Sequence, residues 1–319
     1  MDKQDAVVAG TPAENPAENP SASPPEPSEA SIAAGQSGSE PLGAKTDDNN
    51  APELPKIDIA KEEEELRRQN ELSEKQIQQI ENEQKTHPLV GEKEPFFTVV
   101  NEYNEQNSPD YYQKAKELTD RYHYIRRIRG DGNCFYRAVL TGIIENCFSS
   151  MDEARRVLGV CEAWPDRLIR LGFPDWTTSD FCEFFITWFK TVVNREINEL
   201  LAFENLNEDH TSNYLLMFFR LIASGYLKEH ADEYEPFIDC FGGLAEFCAM
   251  EIESMWKEAD HLAITGLVHA LDLGVRIEYM DRSAAPNGGW HYDFPPDQKD
   301  PAKIVLLYRP GHYDLLFRA

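Results

Sequence analysis

The first 95 positions of this 319-residue chain contain no aromatic residue; every Phe, Trp and Tyr lies at or after Phe96. A stretch without large rings cannot build a core of ordinary density, so the fold is expected downstream of it. No run approaches the roughly 18 apolar residues of a membrane helix. The start, Met1-Asp2-Lys3-Gln4-Asp5, lacks the apolar region of a secretory signal, and no membrane association is expected. Cysteines are few: Cys134, Cys147, Cys161, Cys182, Cys240 and Cys248. None forms Cys-x-x-Cys, and none stands at metal-ligand spacing from a histidine, so neither a disulfide framework nor a metal is expected. Free thiols indicate a reducing compartment, the cytoplasm and also the nucleus. Basic residues are scarce as well. The 31 Lys and Arg face 57 Asp and Glu, a net charge of −26. Nucleic-acid binding, which needs basic surface, is excluded as an expectation, and a cationic partner segment suits the chain better.

What is present divides the chain in three. Residues 1–57 hold 9 of the 20 prolines, and Ala13-Glu14-Asn15-Pro16 repeats at once as Ala17-Glu18-Asn19-Pro20. This composition reads as a disordered acidic tail rich in Pro, Ala and Ser. Residues 58–95 form a helical arm and linker: Ile59 to Lys85 lacks Gly and Pro and is rich in Glu, Gln, Lys and Arg. Its apolar stripe, Ile59, Leu66, Leu72, Ile77 and Ile80, is thin, so the helix needs a surface to pack on, in its own domain or on a partner. Residues 96–319 then make one domain.

Within that domain Asp131-Gly132-Asn133-Cys134-Phe135-Tyr136-Arg137 carries the chemistry. A cysteine follows a turn and opens a helix-competent run to Phe148. A helix N-terminus carries free N–H groups and partial positive charge, which favour a thiolate and can hold an oxyanion. Such a nucleophile needs a base, and Pro310-Gly311-His312-Tyr313-Asp314 supplies one 178 positions later. On a strand, positions 312 and 314 share a face, so Asp314 can orient His312. Arg121, Arg126, Arg127, Arg129 and Arg137 crowd the same region as a solvated set or as an aid to ionising Cys134.

With its C-terminal Tyr308-Arg309-Pro310-Gly311-His312-Tyr313-Asp314, the Cys134 motif resembles the ovarian-tumour-type cysteine deubiquitinases, and among them the otubains. Tyr124-Ile125-Arg126, Thr211-Ser212-Asn213-Tyr214-Leu215, Leu221-Ile222-Ala223-Ser224-Gly225-Tyr226-Leu227, Glu278-Tyr279-Met280-Asp281-Arg282 and Val305-Leu306-Leu307 extend the likeness over roughly residues 60 to 318. The resemblance implies Cys134 as nucleophile, His312 as base and Asp314 as its orienting acid. It puts Asp131 on the family's motif aspartate, shaping an oxyanion loop of Asp131, Gly132, Asn133 and Cys134. Gly130 stands in place of an expected proline, and Trp256 in place of a smaller residue.

The implied activity is hydrolysis of the isopeptide bond after the ubiquitin C-terminus, in polyubiquitin of the proteasome-targeting linkage, without cofactor. The alternative is a binding module that uses the arm to inhibit ubiquitin-charged conjugating enzymes. A loop from Asp281 to Gly289 could also touch ubiquitin. The remaining pattern predicts helices at 109–122, 151–171, 178–194, 211–230, 243–255 and 260–273. Strands follow at 275–280, 290–294, 303–309 and 313–317. Helices first and strands last indicate α+β, and the resemblance implies a papain-like cysteine-protease fold with helices on a small, mainly antiparallel sheet.

Overall fold

The computed structural model describes residues 59–281, 291–298 and 301–318. The expected tail and most of the Asp281–Gly289 loop lie outside them. In chain order the elements are α1 (Ile59–Lys85), β1 (Val90–Pro95), α2 (Phe97–Asn101), α3 (Pro109–Leu118), β2 (Tyr122–Ile128), α4 (Cys134–Ser149), α5 (Met151–Glu162), α6 (Trp164–Arg170) and α7 (Asp175–Val193). There follow α8 (Glu199–Leu206), α9 (Asp209–Glu229), α10 (Ala231–Tyr234), α11 (Gly243–Phe247), α12 (His261–Leu271), β3 (Val275–Tyr279), β4 (His291–Phe294), β5 (Ile304–Arg309) and β6 (His312–Arg318).

The six strands form one sheet in the order β1-β2-β6-β5-β3-β4. Only β3 and β5 run parallel; every other pairing is antiparallel. The α+β reading therefore holds, with the strands gathered at the centre. β5 explains the layering. Its run Ile304-Val305-Leu306-Leu307 is buried throughout because both faces are covered. Ile304 and Leu306 enter the large core shared with α4, α5, α7, α9 and α12, while Val305 and Leu307 enter a smaller core with Phe96, Val99, Ala115 and Leu118.

Several boundaries differ from the sequence reading, each for a physical reason. β1 pairs with β2, and Leu89 and Val90 are buried, so the folded body starts before Phe96. The predicted helix 151–171 breaks at Ala163, where Pro165 restarts it as α6. The predicted helix 243–255 runs as α11 and then widens into a π-helical segment, Cys248–Ile252. A hairpin joins β5 to β6, with Arg309 opposite His312 and Gly311 turning at φ +75°.

Candidate active site

Two elements bring the chemistry together. α4 begins at Cys134, with the side chain buried against the large core. β6 begins at His312 and sits beside β2 at the centre of the sheet. His312 Nε2 lies 2.9 Å from Asp314 Oδ1, the same-face pair expected of a strand. The other ring nitrogen, Nδ1, faces the Cys134 loop, since a Cβ on Gly130 would stand 3.4 Å from it. The Cys134 side chain also favours the protonated His312 ring. Burial works against the imidazolium, but Asp314 and Cys134 outweigh it and push the His312 pKa up to about 9.

Asp314 is completely buried, and each of its oxygens has work. Oδ1 accepts the Ile128 N–H at 2.9 Å; Oδ2 accepts Arg309 Nη2 at 2.6 Å. Although burial works to raise it, the bond from His312 and the charges of His312 and Arg309 hold the Asp314 carboxyl below the usual range. Arg309 is itself held by Glu102 at 2.7 Å.

Asp131 acts on the loop instead of on the histidine. Its Oδ1 accepts the Asn133 N–H at 3.0 Å and Nη1 of the buried Arg137 at 2.8 Å. The Asp131 N–H donates to Arg129 O at 3.1 Å. Two of the four expected oxyanion donors, on Asp131 and Asn133, are thus spent inside the loop. Those of Gly132 and Cys134 have no protein partner among the described residues. Gly132 is required twice over: φ is +78°, and a Cβ would stand 2.2 Å from Trp256 O.

The five arginines of the sequence reading are not a solvated set. Arg121 pairs with Glu278, Arg126 with Glu145, Arg127 with Glu94 and Glu102, Arg129 with Asp209, and Arg137 with Asp131. Beside Arg137, a second buried cation at the loop is one that sequence reasoning missed, Arg220 of α9. Its Nη2 donates to Gly132 O at 3.1 Å, Asn133 Oδ1 at 2.7 Å and Lys257 O at 2.7 Å. The signal was an arginine inside Phe218-Phe219-Arg220-Leu221-Ile222, since a charge in an apolar helical run is buried only with partners.

A cleft of about 700 Å³ adjoins the loop, lined by Gln84, Arg129, Gly130, Asp131, Asp209 and Trp256 among others. The end of α1 forms one wall, and Gln84 Oε1 accepts the Gly130 N–H at 3.2 Å. Trp256 is 57% exposed at φ +67°, a strained conformation for a bulky side chain. Among the described residues no group of three or more His, Cys, Asp or Glu is placed to hold a metal, and no helix is long and apolar enough to cross a membrane.

Residues 82–318 match the family profile described as Peptidase C65 Otubain. The chain is an otubain, a cysteine-protease deubiquitinase. The otubain is 52% identical over 252 residues to a "Ubiquitin thioesterase otubain-like" protein of Caenorhabditis briggsae, covering 78% of this chain and 87% of that one. It is 37% identical over 233 residues to human "Ubiquitin thioesterase OTUB1", covering 73% and 84%. A solved complex titled "The structure of a ceOTUB1 ubiquitin aldehyde UBC13~Ub complex" contains a chain of 49% identity that superposes with a TM-score of 0.73, over 76% of this otubain and 99% of that chain. A second, "The structure of h/ceOTUB1-ubiquitin aldehyde-UBCH5B~Ub", gives 46% identity and a TM-score of 0.72, over 77% and 98%.

Proposed function

We propose that this otubain hydrolyses the isopeptide bond after the C-terminal glycine of ubiquitin, with Cys134, His312 and Asp314 as its catalytic residues and Asp131 as the residue that shapes the loop. The observation that carries the reading is the buried Asp314 bonded to His312 Nε2, with the other nitrogen of the ring facing the Cys134 loop. With its pKa near 9, His312 holds a proton at neutral pH, ready for the leaving amine. The Cys134 sulfur attacks the glycine carbonyl carbon, and the oxyanion is held by the N–H groups of Gly132 and Cys134. His312 gives its proton to the departing lysine amine, leaving a thioester. Water then loses a proton to His312, attacks the thioester and frees ubiquitin. No step needs a cofactor. Asp314 keeps the ring oriented throughout.

The finer reading is polyubiquitin of the proteasome-targeting linkage as substrate, with the acceptor ubiquitin on the side of α1. A second role, holding ubiquitin-charged conjugating enzymes through the arm, is favoured by the 27-residue α1 and its place in the cleft wall. Relatives solved with UBC13~Ub and UBCH5B~Ub support it. All six cysteines are free, which fits the cytoplasm, and the nucleus as well.

The test is reaction with ubiquitin bearing a C-terminal electrophile, read by intact mass. One adduct on the wild type and none on Cys134→Ser is the expected result. Folded wild type without an adduct would overturn the catalytic reading and leave the binding role, to be tested as inhibition of a charged conjugating enzyme.

A further inference from the structure

Asn133 occupies the N-cap position of α4, a position where asparagine ordinarily turns its side-chain oxygen onto the first free N–H groups of its own helix. Here it does not: its side chain makes no capping bond. The oxygen is drawn the other way, accepting Arg220 Nε at 3.2 Å, Arg220 Nη2 at 2.7 Å and the Trp256 N–H at 3.3 Å. The amide nitrogen Nδ2 is buried with no partner among the described residues, a cost the protein bears to keep the oxygen on Arg220.

Arg220 has little freedom to do anything else. Nη1 donates to Ile252 O at 2.9 Å, at the end of the π-helical segment, and the guanidinium lies 4.3 Å from the Tyr136 ring centroid. The same Nη2 reaches Gly132 O and Lys257 O. The Gly132–Asn133 peptide is therefore gripped at both ends, its carbonyl by Arg220 and its N–H by Asp131. With that unit fixed, the flanking N–H groups, on Gly132 and Cys134, are fixed too.

We propose that Arg220 is a positioning residue that keeps α4 uncapped: by holding the Asn133 oxygen away, it reserves the helix N-terminus for the thiolate and the oxyanion. The inference deepens the hydrolase reading and rests on it for its kinetic consequence. The structural content, a diverted cap, stands apart from any substrate. Burial disfavours the Arg220 charge, while Tyr136, Asp131 and Cys134 favour it.

The test uses the full chain with Arg220→Met, Asn133→Ala and the double variant. In Arg220→Met the asparagine is released to cap α4. The cap would take the Phe135 or Tyr136 N–H and so weaken the positive end of α4 without consuming the Gly132 and Cys134 donors, and the kcat on a fluorogenic C-terminal amide of ubiquitin should fall about 10-fold, with KM nearly unchanged. Alkylation of Cys134 by iodoacetamide at pH 7, followed by peptide mass, should slow as well. The double variant keeps the packing defect of Arg220→Met but has no side chain to cap with. Its kcat and alkylation rate should recover several-fold over Arg220→Met. A double variant no faster than Arg220→Met would overturn the inference, as would an Arg220→Met enzyme with wild-type kcat. If Arg220→Met does not fold, Arg220→Lys serves with the same pairing, since one ammonium cannot hold Gly132 O and Asn133 Oδ1 in the fork geometry. The alkylation comparison needs no ubiquitin. Wild type inert toward ubiquitin but with the expected alkylation pattern would defeat the hydrolase reading and leave this one standing.

Discussion

The protonation of His312 sets how single residues answer to pH. Its folded pKa, about 9, stands above the ordinary value of 6.5, so its interactions favour the protonated state. They contribute stability in full below pH 6.5, and that contribution is lost as pH rises through about 9. The midpoint of urea denaturation should decline over this window in the wild type and stay flatter in His312→Asn. The alkaline limb of kcat/KM should lie near pH 9 and move toward neutrality in Asp314→Asn, which removes the charge but keeps the shape. His312→Ala should cost more hydrolysis than Asp314→Ala, because Arg309 and the Ile128 N–H hold only the acid, whereas the imidazole itself moves protons. Gly132→Ala is a separate case. A side chain there must displace the Trp256 carbonyl from a left-handed turn, at a cost of about 1–3 kcal/mol. Activity should fall by about 100-fold while the alkaline limb, set by His312, stays where it was. Most of this site was legible in the sequence. Cys134, His312 and Asp314 announce themselves through turn, helix and strand spacing. Arg220 did not, because three of its partners are backbone carbonyls, which carry no residue identity, and its side-chain partner Asn133 lies 87 positions away.

At the scale of elements, legibility followed hydrophobic patterning. The buried helices α4, α7, α9 and α12 and the apolar strand β5 were readable because their periodicity is strong. β1 and β2 were not: Val90-Gly91-Glu92-Lys93-Glu94-Pro95 is a charged edge strand containing Gly and Pro, and β2 carries two arginines. Arg126 and Arg127 are tolerated in β2 because Glu145, Glu94 and Glu102 receive them, a pairing that only the folded chain displays. α8 was hidden by its brevity. The arm α1 was readable as helix, but its anchor on the catalytic loop, Gln84 to the Gly130 N–H, was not. Deleting residues 1–85 removes that anchor. Hydrolysis of a ubiquitin amide should drop only several-fold, since one neutral hydrogen bond is worth about 1 kcal/mol. Inhibition of a charged conjugating enzyme should be lost altogether. A gel assay of ubiquitin transfer run beside the fluorogenic assay separates the two effects.

For the molecule as a whole, charge is the dominant property. A chain of net −26 attracts a cationic substrate segment through screened long-range forces. Raising salt from about 50 to about 300 mM should raise KM for ubiquitin substrates several-fold and leave kcat nearly unchanged, because screening acts on encounter while the bonds around His312 are short and buried. A salt effect confined to kcat would place the sensitivity in the triad instead. The two halves of the site also sit on unequal ground. β6 pairs with strands on both sides, and neighbouring β5 is bonded on both edges and covered on both faces, so the amides that flank His312 and Asp314 can open only when the sheet itself comes apart. The Cys134 loop hangs between a helix end and the turn at Trp256, held by side-chain grips. On warming, an enzyme built this way forgets how to seat its nucleophile while it still remembers where its histidine belongs, and activity fades ahead of the fold.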